Sequence, residues 1–361
     1  MKIGIVTITE GDNYGNRLQN YALTKKIKSM GHEVETIRNY IIYKEYSSKL
    51  WIFKQIIKFI FGKKESKFAI KRRLNFSKFD KQYFDFSKDY STINYISPNL
   101  NEHYDCFVCG SDQVWNLGYK FNLDFNFMTF ADPVKRNTYA ASFGISDIPK
   151  NVDVLDIQTK INELNNISVR EYEGEVIVKK LTEKNVITVI DPTLLLNRSE
   201  WKKIAEKPKL IKKKFILKYF LGDATVEEKI REFCNNNNYE IIDILNYKTK
   251  YYELNPANFL WLIENAELVV TDSYHATIFS IIFNTPFITM DRRDKSLSMK
   301  SRFNTLFYKL GIQQINNIDQ LEHLKSYSSE EYSSIIEKLR NEQKIADDYL
   351  KRIFEEVKIE N

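Results

Sequence analysis

The chain has 361 residues, 43% hydrophobic, 28% charged and 14% aromatic. That apolar content excludes wholesale disorder, and the length suits two lobes of roughly 150 to 200 residues each. The formal net charge of +6 fits anionic substrates or weak attraction to anionic lipid, while no Lys/Arg stripe runs through a nucleic-acid reader motif, so nucleic acid is not an expected partner.

Residues 2–9, short and rich in Ile and Val, read as a buried strand closed by Gly11. Residues 16–30 read as a helix, with Leu18, Ala22, Leu23 and Ile27 at helical spacing and Gly31 as a C-cap. A second strand at 33–38 completes the opening of a parallel, doubly wound sheet. The stretch 41–104 breaks that rhythm; it is long, aromatic and basic, and is expected to be a helical insertion. Strands at 105–110, 136–143, 167–170 and 186–190 then alternate with helices at 151–165 and 174–184.

A second alternation begins near Lys214. Its strands are expected at 215–221, 240–245, 268–271 and 286–290, and its helices at 226–234, 256–264, 276–283 and around 306–310. Residues 328–359 read as one charged helix with Ile335, Ile336, Leu339, Ile345, Tyr349, Leu350 and Ile353 on a stripe, long enough to cross back onto the first lobe. The expected organisation is α/β, with two Rossmann-like doubly wound lobes. Residues 1–197 form the first lobe, 198–327 the second, and 328–361 the terminal helix.

The three cysteines, Cys106, Cys109 and Cys234, are too few for a disulfide framework and suit a reducing compartment. Cys106 and Cys109 form a CxxC on a strand, where they point to opposite faces, and no second pair completes a zinc site. The start of the chain reaches Glu10 and Asp12 without a long apolar run, so no secretory signal is expected. Nor is there a run of about 18 apolar residues to span a bilayer. The expectation is a cytoplasmic protein without a metal. A membrane-surface role stays open because the apolar run 50–61 precedes Lys63, Lys64, Lys67, Lys71, Arg72 and Arg73, the pattern of an interfacial helix. The alternative is a core helix with a solvated end.

Ligands of doubly wound sheets bind beyond the carboxyl ends of the strands. Five loops there carry chemistry. Gly11-Asp12-Asn13-Tyr14-Gly15-Asn16-Arg17 offers backbone N–H groups to an anion, with Arg17 adding charge; otherwise it is a tight turn with Asn16 as an N-cap. Ser111, Asp112, Trp115 and Asn116 combine polar groups with an aromatic wall, as a sugar site requires, or else form a capped helix start with Trp115 in the core. Ser142-Phe143-Gly144 closes the fourth strand. Arg170 ends a strand and can grip a carboxylate or phosphate through paired hydrogen bonds, or simply pair with Glu171 or Glu173.

Thr271-Asp272-Ser273-Tyr274-His275 follows a buried strand and opens an apolar helix. The chain has four histidines, and His32, His103 and His323 sit in polar contexts expected to be exposed. His275 instead stands where an imidazole can transfer a proton, or where it packs against a carbonyl. Of Arg292, Arg293 and Arg302, one is expected at the same cleft and two at the solvated surface.

The glycine-flanked first loop with Leu18-Gln19-Asn20-Tyr21-Ala22-Leu23, Gly110-Ser111-Asp112-Gln113-Val114-Trp115-Asn116, Ser142-Phe143-Gly144, Ser168-Val169-Arg170-Glu171, Asp191-Pro192-Thr193-Leu194-Leu195 and the His275 turn occur in an order and spacing that resembles the polysaccharide pyruvyl transferase family. The resemblance covers nearly the whole chain. It implies a two-lobed fold like that of GT-B glycosyltransferases, and transfer of pyruvate from phosphoenolpyruvate to two hydroxyls of a sugar, without a further cofactor. It implies that Arg170, His275 and a downstream arginine, here taken as Arg302, serve the donor. The chemistry of that transfer adds Ser273 to the donor side, casts His275 as the acid that protonates C3 or as a holder of the leaving phosphate, and casts Asp112 or Asp272 as the base. Asn13, Asn16, Arg17, Ser111, Trp115 and Asn116 would face the acceptor sugar, which could be nucleotide-linked, lipid-linked or polymeric. Asn16-Arg17 stands where many relatives carry Gly-Asp, a departure at the acceptor side. The competing classes are a nucleotide-sugar glycosyltransferase of the same fold and a non-catalytic membrane-surface scaffold of a glycan assembly complex.

Overall fold

The structure is a computed structural model that describes residues 1–40, 49–63, 65–119, 122–222, 226–292 and 300–360. In the first lobe, β1 (Lys2–Val6), α1 (Tyr14–Ser29) and β2 (Glu33–Tyr40) form the expected opening unit. The hairpin α2 (Lys49–Ile60) and α3 (Ser66–Tyr83) follows, then β3 (Phe86–Thr92), the short β4 (Tyr95–Ile96) and α4 (Leu100–His103). The lobe continues with β5 (Cys106–Cys109), α5 (Leu123–Asn126), β6 (Arg136–Thr138), α6 (Val154–Asn162), β7 (Ile167–Val169), α7 (Tyr172–Leu181) and β8 (Val186–Thr188).

After α8 (Arg198–Lys202) the second lobe runs β9 (Phe215–Tyr219), α9 (Glu227–Asn237), β10 (Glu240–Asp243), α10 (Pro256–Asn265), β11 (Leu268–Thr271), α11 (Tyr274–Phe283), β12 (Phe287–Thr289) and α12 (Lys300–Leu310). The chain ends in α13 (Ser329–Glu360), whose 32 residues span about 48 Å.

The first sheet has the order β4-β3-β2-β1-β5-β6 and is parallel except at β4. Bridges from Asn137 to Asn166 and from Ala141 to Val169 carry it on to the parallel pair β7-β8. The second sheet is fully parallel, in the order β10-β9-β11-β12. Strands start near the middle of each sheet and build outward in both directions, so each lobe has a point where the order reverses and a crevice opens.

The stretch 41–104 is not wholly helical. Residues 86–92 supply β3, which pairs with β2, so the α2–α3 hairpin is a crossover between neighbouring strands. The inward positions of β3 include Ser87 and Ser91, so the strand lacks the apolar alternation that betrays the others.

One apolar cluster joins the two lobes. It runs from Leu18 and Leu23 of α1 through Trp201 to Phe259 of α10 and Phe279 of α11, and includes Leu350 and Ile353 of α13. The terminal helix does return to the first lobe. Lys26 bonds Asp347 at 2.8 Å, the Tyr349 hydroxyl donates to the Thr138 carbonyl at 2.8 Å, and Phe354 packs on His32 at 4.4 Å between ring centres. His32 is therefore half-buried rather than exposed. Cys106 and Cys109 fall in different apolar clusters on opposite faces of the first sheet, and burial pushes the Cys106 thiol up to about 12. No helix among the described residues is long and apolar enough to cross a membrane.

Candidate active site

The carboxyl ends of both parallel sheets face one crevice between the lobes. A cavity of about 410 Å3 lies there, lined by the loops after β1 (Glu10, Gly11, Asn13), β5 (Asp112, Gln113), β11 (Ser273, Tyr274, His275) and β12 (Arg292), by Asn16 of α1, and by Arg302 of α12. The geometry follows from local chemistry. The Asn13 side chain caps α1 by accepting the Asn16 N–H at 3.2 Å, which starts the helix at Tyr14 and turns Asn16 inward. Ser273 caps α11 the same way, accepting from the Ala276 N–H at 3.4 Å. His275 is thereby fixed in the first turn of a buried helix.

His275 is wedged between the lobes. A Cβ on Gly15 would lie 2.1 Å from its Nδ1, so the imidazole packs directly on the backbone of the first loop. Its Nε2 stands 3.5 Å from Oδ2 of Asp191, at the edge of hydrogen-bonding distance. Asp191 is fully buried and accepts from Ser111 Oγ at 2.9 Å, Arg170 Nη1 at 2.8 Å, and the Thr193 N–H and hydroxyl at 2.9 and 2.7 Å. Burial alone would raise its pKa, but His275, Arg170 and Thr193 together hold it well below the usual carboxylate range.

Arg170 is buried behind Tyr274, with its guanidinium 4.6 Å from the ring centre. Its ion-pair partners are Asp191 at 2.8 Å, as above, and Glu171, whose Oε2 stands 3.7 Å from Nε, too far for a hydrogen bond. Nε and Nη2 of Arg170 have no hydrogen-bond partner although they are buried. Arg302 approaches the same ring, at 5.5 Å, and burial together with the nearby Arg170 pushes its pKa down to about 10. Two buried cations thus flank Tyr274. The buried carboxylates of Asp191 and Glu171, 2.8 and 3.7 Å from Arg170, offset part of that charge.

Glu171 does a different task. Its Oε1 accepts from the Ser142 hydroxyl and from the backbone N–H groups of Phe143 and Gly144, at 2.9, 3.0 and 3.1 Å. That fixes the 142–144 loop, where Gly144 takes a φ of +63° and leaves room for the Gln113 side chain. Asp112 adopts a φ of +82°, rare for a residue with a Cβ, and its side chain accepts the Gln113 N–H at 2.8 Å.

Several expected residues stand off the cavity wall. Arg17 is turned away and paired through two nitrogens with Asp80, at 2.9 and 3.3 Å. Trp115 is fully buried and stacks on Phe127 at 4.9 Å, so it forms core and not a sugar platform. Asn116 is buried, with its side-chain oxygen accepting the Gly118 N–H at 2.9 Å. Ser111 serves Asp191. Asp272 is buried and holds the loop after β9, accepting the Leu221 and Gly222 N–H groups at 2.7 and 2.8 Å, which ill suits it to act as a base. Both Arg292 and Arg302 reach the cavity, whereas two of the three arginines were expected at the surface; Arg293 lies outside the described residues.

The sequence reading gave no role to Asp191, although its Asp-Pro ends β8 under the same carboxyl-end rule that flagged the other loops. Gln113 and Glu10 also line the cavity without having been singled out as site residues. Among the described residues no group of three or more His, Cys, Asp or Glu is placed to hold a metal ion.

Comparison with known proteins bears on the fold and the family. A protein from Listeria monocytogenes, described as a UDP-N-acetylglucosamine 2-epimerase, superposes with a TM-score of 0.52 at 11% identity, over 96% of this chain and 90% of that one. The Neisseria meningitidis UDP-GlcNAc 2-epimerase gives 0.49 at 11% identity over 100% of both chains. An alpha-glucosyltransferase gives 0.47 at 10% identity over 99% of both. At such identities the likeness concerns fold, which is the GT-B arrangement of two Rossmann-like lobes. No curated protein matches the chain significantly. The polysaccharide pyruvyl transferase model matches residues 13–294, a span that contains every loop of the cavity except its first residues, and the chain belongs to that family.

Proposed function

We propose that this enzyme transfers pyruvate from phosphoenolpyruvate to two hydroxyls of a sugar, forming a cyclic ketal during synthesis of a cell-surface glycan. The observation that carries the reading is the buried cation pair Arg170 and Arg302 around Tyr274, beside His275. A donor with a carboxylate and a phosphate supplies anionic oxygens to Arg302 on the cavity wall, with Arg170 behind Tyr274 adding positive charge.

The chemistry balances without a redox step. His275 delivers a proton to C3 of the enol, and a sugar hydroxyl adds at C2 as it loses its proton to Asp112. The C2–O bond to phosphate then breaks, a second hydroxyl adds at C2, and its proton leaves with the phosphate. Asp191 stands behind His275, 3.5 Å from its Nε2, while Ser273 shapes the loop that presents it. Asn13 and Asn16 on the first-lobe side face the acceptor, a nucleotide-linked, lipid-linked or polymeric sugar. The reaction would take place on the cytoplasmic side, where phosphoenolpyruvate is made.

The test is phosphate release from phosphoenolpyruvate with a panel of sugar acceptors. Loss of a positioned proton donor costs about 10²–10⁴-fold in rate, so His275→Ala should fall by that amount. Full turnover by the variant would remove His275 from the mechanism.

A further inference from the structure

The α2–α3 hairpin carries a surface that the cleft does not use. Phe53, Ile56, Ile57 and Ile60 recur at the spacing of one helix face and are all exposed, Phe53 at 59% and Ile60 at 72%. Phe61 continues the stripe at 82% exposure. The other side of α2, at Trp51, Ile52 and Gln55, is half-buried, so the helix is seated on the protein and shows its most apolar face to solvent. Contiguous apolar surface of this kind is uncommon on monomers and marks a place where something binds.

The charge around the stripe is of one sign. Residues 49–73 contain one acid, Glu65, against seven lysines and two arginines. Among the described residues, ion pairs engage Lys71 and Arg73, but not Lys54, Lys58, Lys63 or Lys67, all of them exposed. We propose that this face of α2 docks the protein on an anionic lipid bilayer, the stripe entering the headgroup boundary and the four lysines meeting lipid phosphates. At 12 residues the helix is too short to span, so it lies in the plane of the interface. Lysine suits such an edge because its stem stays on apolar surface while its ammonium reaches the headgroups.

The docking face is tied to the cleft. Arg73 lies about 10 Å along α3 from Ser66 at 1.5 Å per residue, and it bonds Asp12 of the first cavity loop at 3.0 Å. A bilayer on α2 therefore lies beside the first-lobe loops, within reach of a lipid-linked sugar. That last step rests on the proposed pyruvyl transfer; the docking itself does not.

The experiment is co-sedimentation of the full chain with vesicles of phosphatidylcholine alone, or of phosphatidylcholine with phosphatidylglycerol. Binding is expected to the anionic vesicles and to be lost in Phe53→Ser/Ile57→Ser/Ile60→Ser. Each lysine at such a surface contributes about fivefold, so Lys58→Ala/Lys63→Ala should weaken anionic binding roughly 30-fold. The lysine variant removes only exposed charge, so it reads the proposal even if the triple variant folds poorly. Equal binding to neutral vesicles would overturn the proposal. So would no binding to either together with self-association that the serine variant abolishes, which would make the stripe an interface between copies. No donor or acceptor is present in this assay, so its failure would leave the pyruvyl-transfer reading intact.

Discussion

At the scale of single residues, the site is organised around Asp191. This carboxylate has no access to solvent, yet it is held ionised by Arg170 at 2.8 Å, by His275 at 3.5 Å and by two donors from Thr193. Removing one partner of a buried pair strands the other, at a cost of about 3–5 kcal/mol. Arg170→Ala should therefore lose stability of that order in urea unfolding, and unchanged stability would show that the pair contributes nothing. Asp191 also sets a direction with pH. Its folded pKa lies below the unfolded value of about 3.9, so its contribution is complete above that value and is lost as pH falls toward the folded pKa. Asp191→Asn should flatten the acid limb of the stability curve measured by thermal unfolding.

At the scale of elements, the first loop and α3 hold His275 and the lobes in register. Gly15 leaves no room for a side chain, since a Cβ would come within 2.1 Å of the imidazole. Gly15→Ala should displace His275 and depress turnover while the protein stays folded, seen as lost phosphate release with a near-normal melting curve. Arg72 of α3 is buried and bridges the lobes. It donates to the Tyr14 hydroxyl at 2.7 Å, to the Asp12 carbonyl at 2.7 Å and to the Tyr252 carbonyl at 3.1 Å. Lysine cannot make three such bonds from one planar group. Arg72→Lys should raise KM and lower kcat together, since the first loop loses its tie to the second lobe; unchanged kinetics would mean that the loop is held by other contacts.

The elements also show where sequence ends as a guide. The strand-helix alternation of both lobes and the positions of Arg170 and His275 were legible, because a buried parallel strand reads as an apolar run and its carboxyl end is a fixed place. The strand Phe86–Thr92 was not legible, because Ser87 and Ser91 face inward where apolar residues usually stand. Nor could spacing tell that Trp115 stacks on Phe127, or that Arg17 turns to Asp80, since both depend on residues distant in sequence that the fold brings together. That one of the arginines after β12 reaches the cleft was legible; that both Arg302 of α12 and Arg292 at the end of β12 do so was not.

At the scale of the whole molecule, one apolar cluster runs through both lobes and under the terminal helix. The lobes should therefore unfold in a single cooperative transition. Leu350→Ala, at a fully buried contact of α13, should cost about 2–5 kcal/mol and lower the one transition without splitting it. Calorimetry showing two separate transitions would contradict a shared core. The same joint core fixes the cleft at the meeting of the two sheets, where Arg292, Arg302, Asp112 and His275 converge on a cavity of about 410 Å3.

The most direct test of that convergence is the fate of the donor. The purified chain is incubated with phosphoenolpyruvate and nucleotide-linked or lipid-linked sugar acceptors, phosphate is followed with time, and the acceptor is weighed by mass spectrometry. The account predicts that phosphate appears in step with pyruvate added to one acceptor, and that neither appears at the wild-type rate in His275→Ala. Release of a nucleotide with sugar transfer, and no phosphate from phosphoenolpyruvate, would contradict it.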